Sequence, residues 1–208
     1  GTSKKVQKCM VGKMVGKETF QPRGPFMVKW CELLGKKMAL QSESTDGQDE
    51  EDFSITLKLL VPGSAAGSII GKGGATINEI QTQTGTRIQL SRNDEVFPGT
   101  SDRIVTLGGT ITSVLCALHL IISKLLRDGA GILVGHDPRL NLVIPNASCG
   151  CILGKGGLTI RNFAEDSRAD IKLSSQGGML PGVSERILSI AGPIDCILRA
   201  VALVATAL

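Results

Sequence analysis

Two copies of a glycine-rich turn carry the clearest chemistry in this sequence. GKGG occurs at 71–74 and again at 154–157. Glycines keep side chains off a turn and permit positive φ, so a phosphodiester backbone can approach the main chain closely. Each turn opens into a predicted helix, whose first N–H groups and positive dipole end favour an anion. The pattern therefore predicts a phosphate-binding turn, to which Lys72 and Lys155 each add a positive charge.

Other phosphate motifs do not fit the spacing. A nucleotide-binding P-loop needs G-x-x-x-x-G-K followed by Ser or Thr. Ala66 stands at its first glycine and Gly73 at its hydroxyl position, and the second copy has Cys149 and Gly156 there. A single GxxG would be weak support, because 26 glycines produce such spacings by chance and a tight turn between two helices would explain it. Two copies in the same context favour phosphate binding.

The rest of the composition argues against an enzyme, a metal site or a bound cofactor. Six cysteines form no CxxC pair, which disfavours structural zinc, and the two histidines have no carboxylate partner nearby in sequence. No signal peptide opens the chain and no apolar run could span a membrane, so the thiols are expected to be reduced. Cys149 and Cys151 are expected to be buried where a helix packs.

An internal repeat organises the chain after residue 53. Shifted by 83 residues, VPGSAAGSIIGKGGATI at 61–77 lies over IPNASCGCILGKGGLTI at 144–160, and PGTSDRIVTLGG at 98–109 lies over PGVSERILSIAG at 181–192. Apolar alternation, glycine punctuation and a final apolar stripe predict the order β-α-α-β-β-α for each copy. In the first copy, Thr110 is predicted to cap the long last helix.

The charge pattern predicts the domain boundaries. Residues 1–37 carry nine basic against two acidic residues, and residues 38–52 carry six acidic residues and no basic one. We expect residues 1–52 to be a flexible basic then acidic arm, which could be foreign in part because the chain starts with glycine. The predicted domains are then 53–127 and 139–208, joined by a linker over 128–138.

The cores IIGKGG and ILGKGG, with TRIQLS, the loop FPGTSDRI and the closing helix, resemble type I KH domains. The most similar group is that of the Nova and poly(C)-binding proteins, with the plant Nova-like proteins as a subgroup. The resemblance implies an α+β fold, in which each domain packs a three-stranded antiparallel sheet on three helices. It also implies binding of single-stranded RNA, or alternatively DNA, at about four nucleotides per domain. Such proteins often carry a third module, so the chain could be a fragment.

The resemblance implies that nucleic acid lies between the first two helices with the GKGG turn and the second strand with its following loop. Its residues in the first groove would be Gly67, Ile70, Gly71, Lys72, Gly73, Gly74, Ile77, Arg87, Ile88 and Arg103. Those in the second groove would be Gly150, Leu153, Gly154, Lys155, Gly156, Gly157, Ile160, Ile171, Lys172 and Arg186. The Ile88 main chain would bond a base edge, and the arginines would reach base acceptors. Ordinary core packing is the alternative for each isoleucine, and a solvated charge for Arg103 and Arg186.

We expect a sequence-selective RNA-binding protein of the nucleus or cytoplasm that acts in post-transcriptional regulation of mRNA or recognises other RNA. A narrow aliphatic groove favours pyrimidine-rich sites. The first groove should bind more tightly, because Asp170 replaces Arg87 in the second. The alternative is an interaction scaffold in which at least one copy does not bind RNA. A homodimer, or packing of one repeat on the other, could use the long last helices.

Overall fold

The computed structural model describes residues 54–129, 133–134, 137–175 and 184–208. These residues belong to one compact unit. The predicted arm at 1–52 lies outside the described residues, as does most of the second variable loop. No helix in the described ranges is long and apolar enough to cross a bilayer.

The first repeat follows the predicted order β-α-α-β-β-α. Its elements are β1 (Ser54–Pro62), α1 (Gly63–Ile70), α2 (Ala75–Thr84), β2 (Arg87–Leu90), β3 (Asp102–Thr110) and α3 (Ile111–Arg127). A single 3₁₀ turn (Lys72–Gly74) joins α1 to α2. The predicted cap is confirmed, since the Thr110 hydroxyl accepts a hydrogen bond from the Ser113 N–H at 3.1 Å.

The second repeat has the same order with a shorter first helix. Its elements are β5 (Asp137–Pro145), α4 (Cys149–Leu153), α5 (Leu158–Ser167), β6 (Asp170–Leu173), β7 (Glu185–Ala191) and α6 (Ile194–Ala205). The 3₁₀ turns Asn146–Ser148 and Lys155–Gly157 flank α4. Within the predicted linker, β4 (Leu133–Val134) forms a short hairpin with the start of β5. The α+β class is thus confirmed in both copies.

One antiparallel sheet runs through both repeats, in the order β2-β3-β1-β5-β7-β6. Each repeat contributes three of these strands, and the two sets meet where β1 pairs with β5. In that ladder Leu59 lies opposite Leu142, flanked by Lys58 opposite Val143 and Leu60 opposite Asn141. The first strands of the two repeats, which would each be an edge of a separate three-stranded sheet, therefore protect one another's backbone groups.

The core lies between the sheet and the helices, and the two long helices contact each other within the chain. Their inward stripes are apolar, for example Leu118 and Ile121 on α3 and Val201 on α6. His119 on α3 lies near Asp195 on α6. Burial lowers the pKa of His119, and the Asp195 carboxylate opposes part of that shift.

A second apolar cluster covers the opposite face of the sheet. Phe97, from the loop after β2, is buried there against Leu60 and Val143. The half-buried side chains of Ile104 and Ile187 pack against this cluster. On one side of the joined strands, Lys58 Nζ also lies 2.8 Å from Glu185 Oε1. The contact between the repeats thus has apolar burial on both faces of the sheet and an ion pair.

Candidate nucleic-acid interface

The two GKGG turns have the same backbone conformation. The φ angles of the three glycines are 72°, 59° and 82° for Gly71, Gly73 and Gly74, against 67°, 61° and 77° for Gly154, Gly156 and Gly157. The turn bends back on the preceding helix, where Gly71 N–H donates to Gly67 O and Gly154 N–H to Gly150 O, both at 2.9 Å. The sequence repeat is therefore also a repeat of local geometry.

The first glycine of each turn is required by its surroundings. Gly71 combines φ 72° with ψ −179°, a region that essentially only glycine occupies. A Cβ there would lie 2.2 Å from Thr76 Oγ1, and a Cβ on Gly154 would lie 2.1 Å from Thr159 Oγ1. These two threonines support the turns and were missed from the sequence, although they stand at equivalent positions in the matched repeats.

The tip of each turn is open. Lys72 and Lys155 are exposed, and a Cβ added at Gly73 or Gly156 would meet nothing within 4 Å. Among the described residues neither lysine forms an ion pair. Each turn leads into a helix of ten residues, whose N-terminus lies next to the lysine. The arrangement presents a lysine and bare backbone at a positive helix end, where an anion can approach.

The predicted helical wall of each groove is also open. Gly67 and Gly150 are exposed, and a Cβ at either position would meet nothing within 4 Å. The predicted apolar wall and floor residues are half-buried, which leaves part of each side chain accessible: they are Ile70 and Ile77 in the first repeat and Leu153 and Ile160 in the second. These side chains therefore pack against the core and still line the surface.

On the strand side, only the main chain can face a ligand. The Ile88 side chain is 5% exposed and that of Ile171 is 8% exposed, so both belong to the core. Hydrogen bonds alternate along an edge strand, and Ser91 N–H donates to Ile104 O on β3. The Ile88 N–H consequently points away from the sheet, where it donates to Gln81 Oε1 at 2.8 Å.

Gln81 distinguishes the two grooves. Its position in the second repeat, 83 residues later, holds Ala164, which has no side-chain acceptor for the Ile171 N–H. A base that bonds the Ile88 N–H must therefore displace or share the Gln81 amide, whereas the second groove has no such competitor. The alignment of the repeats contains this difference, but its meaning depends on Gln81 reaching the edge of β2.

The two predicted arginines of the third strands hold the start of each variable loop. Arg103 donates from Nε to Ser91 O at 3.0 Å and from Nη1 to Asn93 Oδ1 at 2.6 Å, and its Nη2 also bonds Ser91 O. Arg186 donates from Nε to Ser174 O at 2.8 Å, with Nη2 on the same oxygen. Base contact by either residue stays a prediction, and it would have to coexist with these bonds.

Charge differs at the strand edge. Arg87 is exposed and forms no ion pair with any described residue. At the equivalent site Asp170 lies 2.7 Å from Lys172 Nζ, and both side chains are largely exposed. Lys172 thus neutralises the carboxylate that replaces Arg87. The first groove has one net positive charge at this edge, and the second has none.

The thiols divide between core and surface. Cys149 is 2% exposed, and burial raises its pKa, against the opposing effect of Arg186. Cys151 is exposed, so its predicted burial is wrong: two residues along a short helix turn the side chain to the other side. No cluster of His, Cys, Asp or Glu in the described ranges could hold a metal ion.

Comparison with known proteins gives a consistent result. A family model described as KH domain matches residues 56–123 and again residues 139–206. The chain is 33% identical over 174 residues to the RNA-binding protein Nova-2 of Homo sapiens, covering 76% of this chain and 34% of that protein. It is 31% identical over 146 residues to the RNA-binding protein Pasilla of Drosophila melanogaster, covering 65% of this chain and 19% of that protein. The chain thus spans about a third and about a fifth of these relatives.

Among solved structures, one described as "KH domains" matches with a TM-score of 0.31 and 13% identity. The match covers 77% of this chain and 66% of that one. A TM-score of this size carries no argument about the arrangement of the two repeats.

Proposed function

The chain belongs to the KH domain family, and from that premise we propose that it binds single-stranded RNA at pyrimidine-rich sites through two GKGG-containing grooves. The family match confirms the resemblance identified in the sequence and the expectation of a binding protein rather than an enzyme. Single-stranded DNA is the alternative ligand. The proposed role is post-transcriptional regulation of mRNA or recognition of other RNA, in the nucleus or cytoplasm.

The observation that carries this proposal is the pair of open GKGG turns. Each combines an exposed lysine, a glycine tip with free space above it and the N-terminus of a ten-residue helix. A chance GxxG between two helices has no reason to keep this combination twice with matching φ angles. A phosphate of the RNA backbone would lie at the turn, and the bases would lie over Ile77 or Ile160.

Pyrimidine selectivity is proposed from the shape of the grooves. Aliphatic side chains and the edge of β2 or β6 form their predicted walls, and the chain has only 3% aromatic residues. Selectivity would then come from groove width and main-chain hydrogen bonds rather than from stacking on exposed rings.

The first groove is proposed to bind more tightly. Arg87 adds a positive charge at its strand edge, whereas Asp170 and Lys172 cancel each other in the second. Gln81 acts against this difference, because it occupies the Ile88 N–H. Electrostatic attraction to phosphate should outweigh one exchangeable hydrogen bond, whose net contribution is about 1 kcal/mol.

Paired substitutions test the proposal. Lys72→Asp with Gly73→Asp should abolish binding in the first groove, and Lys155→Asp with Gly156→Asp should do so in the second, measured by fluorescence anisotropy with a pyrimidine-rich RNA. A matched control is Arg127→Asp with Gly129→Asp. It makes the same charge change, also at a positive-φ glycine with free space, φ 66°, but outside both predicted grooves.

The combined four-residue variant decides between the two functions. If it still binds RNA as the control does, the groove assignment is wrong. If the unsubstituted chain binds no single-stranded RNA or DNA under low-salt conditions, the RNA-binding proposal fails and the scaffold alternative is favoured. Circular dichroism of each variant checks that the fold is kept.

A further inference from the structure

The joined sheet relates the two grooves by an approximate two-fold axis. Leu59 pairs with Leu142, which is its own equivalent 83 residues later. The flanking pairs, Lys58 with Val143 and Leu60 with Asn141, exchange when the repeats are exchanged. Such a register places the axis between Leu59 and Leu142, perpendicular to the sheet, because antiparallel strands are related in this way.

The predicted base-reading strands lie at opposite edges of the same sheet. The strand order puts β2 at one end and β6 at the other, five strand spacings apart. At about 4.8 Å per spacing, the two edges are about 24 Å apart. The grooves therefore face outward from the sheet on opposite sides and do not adjoin.

The two edges also run in opposite directions. Every neighbouring pair from β2 to β6 is antiparallel, so five steps leave β6 antiparallel to β2. Equivalent grooves bind an RNA strand with equivalent polarity relative to their own strands. RNA in the second groove must then run opposite to RNA in the first.

This arrangement is held by contacts on both faces of the sheet. Phe97, Leu60 and Val143 are buried together on one face, and α3 contacts α6 on the other. The ion pair of Lys58 and Glu185 joins the repeats at 2.8 Å. Separating the repeats would expose these apolar side chains and the backbone of β1 and β5, so the grooves keep their relative direction.

Given that both grooves bind RNA as proposed above, we infer that the partner engaging both at once is an RNA with two short single-stranded sites joined by a spacer that turns back around the protein. A contiguous tract cannot fill both grooves, because it would have to reverse direction within itself. At about 3.4 Å per nucleotide, crossing about 24 Å takes about seven spacer nucleotides. Hairpin loops that expose two sites, and two sites flanking a short looped segment, meet this requirement.

The test measures affinity of the full chain against spacer length. RNAs carry two copies of one selected four-nucleotide site, separated by unstructured spacers of increasing length. Affinity should equal that of a single site for the shortest spacers. It should rise roughly tenfold or more once the spacer exceeds about seven nucleotides, and fall slowly for much longer spacers. In the variant with Lys155→Asp and Gly156→Asp, affinity should not depend on spacer length.

A second series tests the polarity. The two sites are joined through their 3′ ends by a flexible synthetic linker, and compared with the natural 3′-to-5′ junction through a linker of the same length. For antiparallel grooves, the natural junction should reach full affinity with the shorter linker, in either order of the sites.

The outcomes are separable. Highest affinity for adjoining sites, or equal performance of the two junctions at every linker length, overturns the inference and leaves RNA binding intact. Absence of binding to any single-site RNA overturns the proposed function and the inference with it.

Discussion

Gly67→Ala should change stability and RNA binding in opposite directions. Gly67 lies inside α1, is exposed, and has nothing within 4 Å of an added Cβ. Alanine is favoured over glycine in a helix interior by about 0.5–1 kcal/mol. Because no neighbour opposes the new methyl group, that gain should appear in the free energy of unfolding. For a unit of this size, it corresponds to a Tm rise of about 1–4 °C.

Binding should weaken, because the same methyl group would enter the predicted groove. Forcing a methyl group into a close-packed contact costs about 1–3 kcal/mol, and 1 kcal/mol already corresponds to about fivefold in affinity. The assay is fluorescence anisotropy with a single-site RNA, in the background of Lys155→Asp with Gly156→Asp, so that only the first groove reports. Thermal unfolding of the same samples gives the stability change.

Gly63→Ala is the matched control. Gly63 starts the same helix and also has free space around its Cβ position, but it lies outside the predicted groove. It should leave affinity unchanged. If Gly67→Ala binds as tightly as the control, or if it destabilises the fold, then Gly67 is not an open wall of the groove and the reasoning is refuted.

Three further outcomes are expected. Since burial lowers the pKa of His119, the unfolded chain takes up a proton more readily below pH 6.5, and the free energy of unfolding should fall as the pH drops below that value; His119→Gln should remove this part of the pH dependence in urea titrations, and an unchanged profile would contradict it. A thiol-alkylating reagent should modify Cys151 well before Cys149, as mass spectrometry of peptides would show, since the first is exposed and the second buried with a raised pKa. Lys58→Met should lower the free energy of unfolding by no more than about 1 kcal/mol and less at high salt, because the ion pair with Glu185 is partly exposed; a loss well above this would mean that the pair anchors the joint between repeats.

Local elements were predictable because each depends on nearby residues. The 83-residue repeat allowed one copy to check the other, and glycines that end α1 and open α2 fixed the turn. Thr110 caps α3 as its position before an apolar stripe predicts. The positive φ of the GKGG glycines follows from the same local chemistry.

The joining of the two sheets was not predicted, although the sequence contains a sign of it. Alternation along β1 suggested a single inward face, yet Leu59, Leu60 and Val61 are all buried. An apolar residue on the outward face needs a cover, which for Leu60 comes from Phe97 and from Val143 of the other repeat. The pattern cannot say which distant segment supplies such a cover.

The candidate site was predictable in its positions more than in its contacts. The open turns and helical walls lie where the resemblance placed them. Gln81 and Thr76 were missed, because their importance rests on a side chain reaching across to β2 or to Gly71. Arg103 was expected to point at a base, and the structure shows it bonded to its own loop.

The meeting of Leu59 with its own equivalent means that each half of the molecule carries a self-complementary seam. Two detached copies of either half could form the same ladder, so the covalent tether, which makes the pairing intramolecular, does much of the work of choosing unlike halves over like ones. Lys58 and Glu185 break the symmetry, since their equivalents are Asn141 and Asp102. A pairing of two first halves would set Lys58 beside Asp102, and one of two second halves would leave Glu185 beside Asn141. Heterotypic preference at this seam therefore rests on tethering, and only slightly on charge.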